Sequence, residues 1–430
     1  MEAVLKNLQL RNFRNHADVS LHAEKQQLIL IGKNAVGKTN IIEALQLISM
    51  LSSFRTSRWH DIPLSHQDDA DTASDAYPES ARGAVVQAEF DQNGRQLEIK
   101  LTINEGRRQY FLNDKKRTRD ELMGLIPTVL FVPEDLDIIK GPAERRRSLL
   151  DTVGQQLSHT YHKILTDYQR TLRQRNRLLR QQRESGSRFG YTGEPARPPE
   201  SDGLTGYTAP DEPSSPDGYT GPTNSGGLRG YASRSTLIQE SWDESLITIG
   251  AQLFVNRLKL YKRLAEKAAA YYAELSEGER LTSAYIPGFG AVGEHSRSEV
   301  EAAYRQQLDV LRNEERARGS SLIGPHRDEI SFAIDGRDAR TFGSQGQQRT
   351  IALACKLAEL DLICEISGNT PLLLLDDVMS ELDGRRRSAL LTLLNREICA
   401  VITATDTDGL DADLLKKAQI IRLHADSERL

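Results

Sequence analysis

Residues 32–39 combine a glycine-bracketed turn with a lysine and a threonine, the residue types that bind a nucleoside triphosphate. The turn follows an apolar run at 28–31 and opens into a helix-like stretch at 40–45. In that context the backbone N–H groups wrap the phosphates, Lys38 reaches the β- and γ-phosphates, and the Thr39 hydroxyl takes a Mg²⁺ position. The loop predicted to bind ATP and Mg²⁺ consists of Gly32, Lys33, Asn34, Ala35, Val36, Gly37, Lys38 and Thr39.

Two adjacent carboxylates follow a second apolar run, at 371–375. Such a run predicts a buried parallel strand. We predict that Asp376 holds the Mg²⁺ and that Asp377 orients or deprotonates the water that attacks the γ-phosphate. Taken alone, the pattern is equally typical of a core strand leaving its sheet. Together with the phosphate loop it makes Asp377 and Lys38 the candidate catalytic residues.

A third motif, at 342–349, precedes a helical pattern at 350–360. Its residues Ser344, Gly346 and Gln347 resemble the signature loop of ABC-type ATPases, although Gly343 and Gln345 depart from the commonest form of that loop. The resemblance implies that this loop binds the γ-phosphate of ATP held by a second subunit, so that two chains enclose two ATP molecules. The alternative is an ordinary capped helix, since a serine at this position also serves as an N-cap.

Length and charge favour a soluble, multidomain ATPase. The 430 residues are enough for two or three domains, and no apolar run is long enough to cross a bilayer. We therefore expect a cytoplasmic protein without a secretory segment, in agreement with three widely spaced cysteines that form no Cys-x-x-Cys pair. Because the net charge is −5, a nucleic-acid surface has to be local.

The chain is predicted to form an α/β ATPase domain whose two halves, 1–148 and 321–430, are separated by a helical arm domain at 149–320. Alternating strand patterns and an Asn-Gly hairpin at 91–95 indicate a β-rich N-terminal half, with a loop insertion at 67–82. The C-terminal half carries the signature loop and the acidic strand end.

Two amphipathic stripes, at 149–172 and 237–272, predict the helices of the arm. Helices of ~35 residues would each reach about 50 Å at 1.5 Å per residue. The segment 184–235 between them is rich in Gly, Pro, Ser and Thr, and we expect it to be a disordered tip. The arm is thus predicted to be a helical hairpin inserted into the ATPase domain.

An arm between the two nucleotide motifs is similar to the head of SMC-like ATPases without their long coiled coil. Further strings narrow the resemblance, at 10–15, 131–136, 174–179, 324–328 and 375–383. As a set, they resemble the RecF family. The resemblance covers nearly the whole chain outside 67–82 and 184–235. It implies an ATP-dependent homodimer that binds DNA at gaps and single-to-double-strand junctions. It also implies work with RecO and RecR to load RecA in recombinational repair, replication restart and the SOS response.

The resemblance further assigns roles to single residues. Lys38 corresponds to a residue that binds phosphate, and Thr39 corresponds to one that binds Mg²⁺. Asp376 likewise corresponds to a Mg²⁺ ligand, and Ser344 to the residue that contacts the γ-phosphate held by the partner chain. Arg14 matches an arginine that contacts nucleotide in SMC-like relatives.

Three positions depart from the ABC pattern. Glu134 stands where relatives have a glutamine and is a candidate metal or water contact. Thr405 or Asp406 replaces a histidine. Asp377 replaces the usual glutamate, as it does within the RecF family, and its shorter side chain implies slow turnover, so that ATP acts as a switch.

DNA contacts are expected from two basic regions. Arg55 and Arg58 lie beside an aromatic residue after the first helix, while Arg173 and Arg177 lie among the arginines of the first arm helix. The alternative for each is a solvated charge. No element for reading bases is recognisable, so we expect preference for DNA structure rather than sequence.

Other functions are less consistent with the sequence. An SMC tether needs far longer heptad arms, a related nuclease needs an added acidic metal domain, and a transporter ATPase has its motifs closer together. A DNA-binding scaffold that binds ATP without needing to hydrolyse it remains the alternative from a different functional class.

Overall fold

The computed structural model of the chain describes residues 3–64, 83–188, 226–290, 296–394, 398–407 and 410–424. The insertion predicted at 67–82 and most of the predicted tip, 189–225, lie outside the described residues.

The described residues form an α/β fold. Its strands are β1 (Ala3–Phe13), β2 (His16–His22), β3 (Gln27–Ile31), β4 (Ala84–Gln92), β5 (Arg95–Asn104), β6 (Arg107–Leu112), β7 (Lys115–Arg117), β8 (Thr128–Phe131), β9 (Leu281–Ile286), β10 (Glu329–Ile334), β11 (Arg337–Asp338), β12 (Leu372–Asp376), β13 (Ala400–Ala404) and β14 (Gln419–Arg422). Its helices are α1 (Lys38–Ser49), α2 (Arg119–Leu122), α3 (Ala143–Leu157), α4 (His159–Arg188), α5 (Gly226–Leu275), α6 (Arg297–Arg318), α7 (Ala339–Phe342), α8 (Gln345–Ser367), α9 (Val378–Glu381), α10 (Gly384–Leu394) and α11 (Ala412–Lys417).

A five-stranded parallel sheet in the order β14-β3-β13-β12-β8 lies at the centre. Strands β3, β12 and β13 are buried along their full length, as their continuous apolar runs predict. Parallel strands end at the same edge of a sheet. The turn after β3 and the carboxylate that ends β12 therefore open on one side, with the end of β13 between them.

A six-stranded antiparallel sheet in the order β2-β1-β4-β5-β6-β7 forms the β-rich N-terminal lobe. The predicted hairpin is confirmed: Gln92 pairs with Arg95, and Asn93 and Gly94 both have positive φ, at 55° and 78°. Helix α1 packs between the lobe and one face of the central sheet, in a single hydrophobic cluster with both. This packing fixes the helix that begins at the phosphate loop.

The other face of the central sheet packs against α3, α8 and the C-terminal part of α5. A separate cluster joins α4, the middle of α5 and α6. Helix α5 therefore runs from the arm core into the ATPase core. The proposed boundary at 148/149 falls inside α3, whose buried residues belong to the ATPase core.

The arm differs from the predicted hairpin in three respects. The first stripe is not one helix: it breaks at Ser158, whose backbone is extended and whose Oγ accepts from the Tyr161 N–H as an N-cap. The arm helices have 30 and 50 residues and extend into both ends of the segment predicted to be disordered, to Arg188 and from Gly226. A third helix, α6, and a small sheet of β9, β10 and β11 complete the region.

No helix within the described ranges is both long enough and apolar enough to span a membrane.

Candidate functional site

The phosphate loop has the strand–turn–helix geometry that its sequence predicts. It leaves β3 at Ile31, and α1 begins at Lys38 directly after Gly37, whose φ is 101°. An added Cβ on Gly37 would lie 2.5 Å from His16 Nε2 and 2.8 Å from Asn15 Oδ1. The turn between β1 and β2 thus packs against the loop, and only glycine fits at this position.

Lys38 lies across the phosphate loop. Its ammonium donates to the carbonyl oxygens of Gly32, at 2.6 Å, and Lys33, at 3.1 Å. The residue is 7% exposed. The positive charge is therefore held at the centre of the loop, where a β- or γ-phosphate would bind.

Thr39 and Asp376 form the second half of the site. The Thr39 hydroxyl donates to Asp376 Oδ1 at 3.1 Å, and the Thr403 hydroxyl donates to the same oxygen at 2.9 Å. Burial raises the pKa of Asp376, and the charges of Asp377 and Glu134 raise it further, while the two hydroxyl hydrogen bonds act in the opposite direction. A hydroxyl and a buried carboxylate next to a phosphate loop fit Mg²⁺, which takes few protein ligands and completes its shell with water and phosphate oxygens.

Replacing Asp376 by Asn tests this site through stability. Because the pKa of Asp376 is raised, its ionised form disfavours the folded state at pH 7. Asn keeps the oxygen that accepts from Thr39 and Thr403 but removes that charge. We expect the melting temperature without nucleotide to rise by roughly 1–3 °C, and the stabilisation by ATP and Mg²⁺ to be largely lost. Differential scanning fluorimetry measures both, and the matched control is Asp18→Asn, at an exposed position of β2. Loss of the ATP effect in that control would contradict the assignment.

Asp377 adopts a positive φ of 52°, in the left-handed region that aspartate tolerates. Its N–H donates to Thr403 Oγ1 at 2.9 Å, and its Oδ1 accepts from Ser380 Oγ at 3.4 Å. Its side chain is half-buried at the mouth of the site. The carboxylate therefore lies beside Ser380 of α9, and its contact with the attacking water stays a prediction.

Thr403 is the site residue that the sequence did not identify. Its single hydroxyl contacts Asp376 and the Asp377 backbone, because β13 lies beside β12 in register. The only signal was a threonine near the end of an apolar strand. The roles of Thr405 and Asp406 stay predictions.

Glu134 lies in a 3-10 turn, Pro133–Asp137, and its charge acts on Asp376. It lines a cleft of about 320 Å³, whose other lining residues are Pro133, Lys140, Gln345, Gln348, Arg349 and Glu381. The cleft lies between Glu134 and the start of α8. Metal contact by Glu134 stays a prediction.

Ser344 is the N-cap of α8. Its Oγ accepts from the Gln347 N–H, and the Gln347 amide oxygen accepts from the Ser344 N–H, which forms a reciprocal capping box. The Gln347 amide donates to Glu279 at 2.6 Å, and Arg386 donates to the Gly346 carbonyl at 2.6 Å. The loop is therefore held by α10 and the turn after α5, while Ser344 itself is exposed.

Arg14 pairs with Glu43 of α1, through bonds of 2.9 and 2.6 Å. Arg55 donates to Asn40 Oδ1 at 2.6 Å and lies 3.6 Å from Glu43. Both arginines thus brace the first turns of the helix that starts at the phosphate loop. A nucleotide contact by Arg14 stays a prediction.

The remaining candidate DNA contacts lie at two surfaces. Arg58 is exposed after α1, and Arg173 and Arg177 are exposed one turn apart on α4. Arg175, between them in sequence, is fully buried and belongs to the arm core. The structure thus leaves only part of the basic helix available to a partner.

Comparison with known proteins agrees with this geometry. The family model for the RecF/RecN/SMC N terminal domain matches residues 4–420. The DNA replication and repair protein RecF of Rippkaea orientalis is 33% identical over 424 residues, which cover 98% of each chain. RecF of Bacillus subtilis is 32% identical over 421 residues, 97% of this chain and 98% of that one. A solved structure of the recombination mediator protein RecF with ATP in the RecFOR pathway has a TM-score of 0.77 at 26% identity, covering 99% of this chain and 96% of that chain. The chain belongs to the RecF family.

Proposed function

We propose that this protein is an ATP-dependent DNA-binding protein of recombinational repair and replication restart. The observation that carries the proposal is the pairing of Thr39 with Asp376 at the mouth of the phosphate loop. The relatives named as DNA replication and repair proteins support the process, and the RecFOR pathway of the solved relative supports RecO and RecR as partners. In this proposal the protein acts in the cytoplasm to promote RecA loading and the SOS response.

ATP binding would be performed by the loop N–H groups, Lys38 and Thr39. Bound Mg²⁺ would neutralise charge on the β- and γ-phosphates. Asp376 would hold that ion and Asp377 would orient the attacking water. The short Asp377 side chain supports slow hydrolysis, so that ATP acts as a switch rather than as fuel for a motor.

Dimerisation is proposed because the signature loop faces outward. The exposed Ser344 lies at the N-terminus of α8, which favours an anion. Glu279 and Arg386, which hold this loop, lie outside the phosphate loop of the same chain. A γ-phosphate presented by a second chain would complete both sites.

Light scattering of the Asp377→Asn protein tests this proposal, because slow turnover should preserve the ATP state. We expect a monomer without nucleotide, a dimer with ATP and Mg²⁺, and binding of a gapped duplex by the dimer. The control is Asp377→Asn with Ser344→Trp, which should bind ATP but stay monomeric since the bulky ring blocks the shared phosphate. A molecular mass that stays the same when ATP is added would exclude the mechanism in which two chains share each site.

A further inference from the structure

A second pocket, of about 370 Å³, lies in the N-terminal lobe beside the segment that follows α1. Its described lining contains three arginines and no carboxylate. The arginines are Arg55, Arg108 and Arg119, and Trp59 also lines the pocket. Arg55 is partly offset by the buried Glu43, 3.6 Å away, but Arg108 and Arg119 have no carboxylate in the lining. These two charges make the pocket complementary to a negatively charged group.

One buried polar atom at this pocket has no partner. Among the residues that the structure describes, no hydrogen bond reaches Arg119 Nε, although the atom is buried. The Tyr110 hydroxyl beside it is also buried, but the Arg108 guanidinium contacts it. A buried donor without an acceptor destabilises the folded state, so a ligand that accepts a hydrogen bond from Arg119 Nε would remove that cost.

The positive charges of Arg108 and Arg119 lie close enough to repel each other. Burial lowers the pKa of Arg119, and the like charge of Arg108 lowers it further, although Tyr110 and the Asp120 carboxylate act in the opposite direction. Burial raises the pKa of Tyr110, and both arginine charges oppose that shift. An anion between Arg108 and Arg119 would screen their repulsion and accept from both. A phosphate has the charge and the oxygen acceptors for this role.

A flat surface adjoins the charged groups. The Arg108 guanidinium lies 4.3 Å from the centroid of the Trp59 ring, and the indole is half-buried rather than covered. Stacked arginine and aromatic planes are surfaces on which unpaired bases stack. The pocket thus combines a phosphate-binding group with a platform for the neighbouring base.

The positive charge continues beyond the pocket. Strand β7, Lys115–Arg117, pairs with β6 at the edge of the sheet, and its three basic residues are all exposed. A free nucleotide would use only the pocket, whereas a strand of linked phosphates would also use this edge. The arrangement therefore favours a polymer.

We propose that this pocket binds a backbone phosphate of a nucleic-acid strand on Arg108 and Arg119, with the adjoining unpaired base stacked on Trp59 and Arg108. This proposal rests on the DNA-binding function proposed above and assigns it a site. Arg55 joins the pocket to α1 through Asn40, so the site lies next to the helix that binds ATP.

Affinity for a fluorescent gapped duplex, measured by anisotropy with ATP and Mg²⁺ at several salt concentrations, tests the pocket. We expect Arg108→Gln and Arg119→Gln each to weaken binding roughly tenfold and to reduce the salt slope by about 1. Arg107→Gln is the matched control, because Arg107 lies on the same strand but on the opposite face, and it should change affinity less than twofold. Unchanged ATP affinity and melting temperature would show that the variants fold.

Trp59 gives an independent readout in a Trp242→Phe background, since the chain has two tryptophans. A single-stranded oligonucleotide should quench its fluorescence, and the Arg119→Gln variant should lose most of the quenching. Quenching by ATP alone, with no effect of the oligonucleotide, would make the pocket a nucleotide site and overturn the proposal. Normal DNA binding by both arginine variants would overturn it while leaving the proposed function intact. Failure of the wild type to bind DNA would overturn both.

Discussion

Replacing Asp377 by Asn should lower the rate of ATP hydrolysis by roughly 100-fold or more, while ATP affinity changes only a few fold. The carboxylate stands at the mouth of the site, one residue beyond the buried Asp376, and its backbone is fixed by the bond to Thr403. Asn keeps the size of the side chain but cannot accept a proton from the attacking water. Phosphate release measured with and without gapped DNA gives the rate, and fluorescent ATP gives the affinity.

Two companion variants make this result specific. Ser380→Ala removes the serine hydroxyl that contacts Asp377 and should lower the rate only a few fold. Asp406→Asn tests the other predicted residue at the end of β13. Loss of turnover in Asp406→Asn but not in Asp377→Asn would reassign the water-binding role. Full repair activity in cells with a hydrolysis-dead Asp377→Asn would instead favour the ATP-binding scaffold.

The strand–turn–helix of the phosphate loop and the buried strand ending at Asp376 were predictable because each depends on local pattern. A glycine turn between an apolar run and a helix defines the first, and a continuous apolar run defines the second. Their proximity follows from one further rule, that parallel strands end at one sheet edge. No single pattern in the sequence, however, shows that β13 separates β3 from β12.

The supporting contacts were not predictable because they join residues distant in sequence. Glu43 is buried in α1 and binds Arg14 of the preceding hairpin, yet in sequence it is only one polar residue in a helical stripe. The break at Ser158 was missed because the apolar spacing continues across it. The same spacing led to one long helix where the structure has α3 in the ATPase core and α4 in the arm.

Arginines in a helix are also difficult to assign from sequence. Arg173, Arg175 and Arg177 alternate along α4, the arginine-rich helix from which DNA contacts were expected. The helical period turns Arg175 inward and leaves the other two exposed. Basic composition alone therefore overestimates the surface available to DNA.

Arg175→Ala should destabilise the arm by ~3–5 kcal/mol, because it leaves two buried carboxylates without their cation. Its guanidinium is fully buried and bonds Asp243 of α5 and Glu315 of α6, each at 2.6 Å, and Ser321 at 2.7 Å. One side chain of α4 thus links both other helices of the arm. The free energy of unfolding from urea titration, followed by far-UV circular dichroism, measures the loss.

Arg173→Ala is the matched control for this network, since it removes the same side chain from an exposed position of α4 and should cost less than about 0.5 kcal/mol. Replacing Arg175, Asp243 and Glu315 together by Met, Leu and Leu should recover much of the stability, because no buried charge is then left without a partner. Equal losses of unfolding free energy in Arg175→Ala and Arg173→Ala would contradict the role of the network. A triple variant as unstable as Arg175→Ala would show instead that the ion pairs themselves, rather than an uncompensated charge, hold the three helices together.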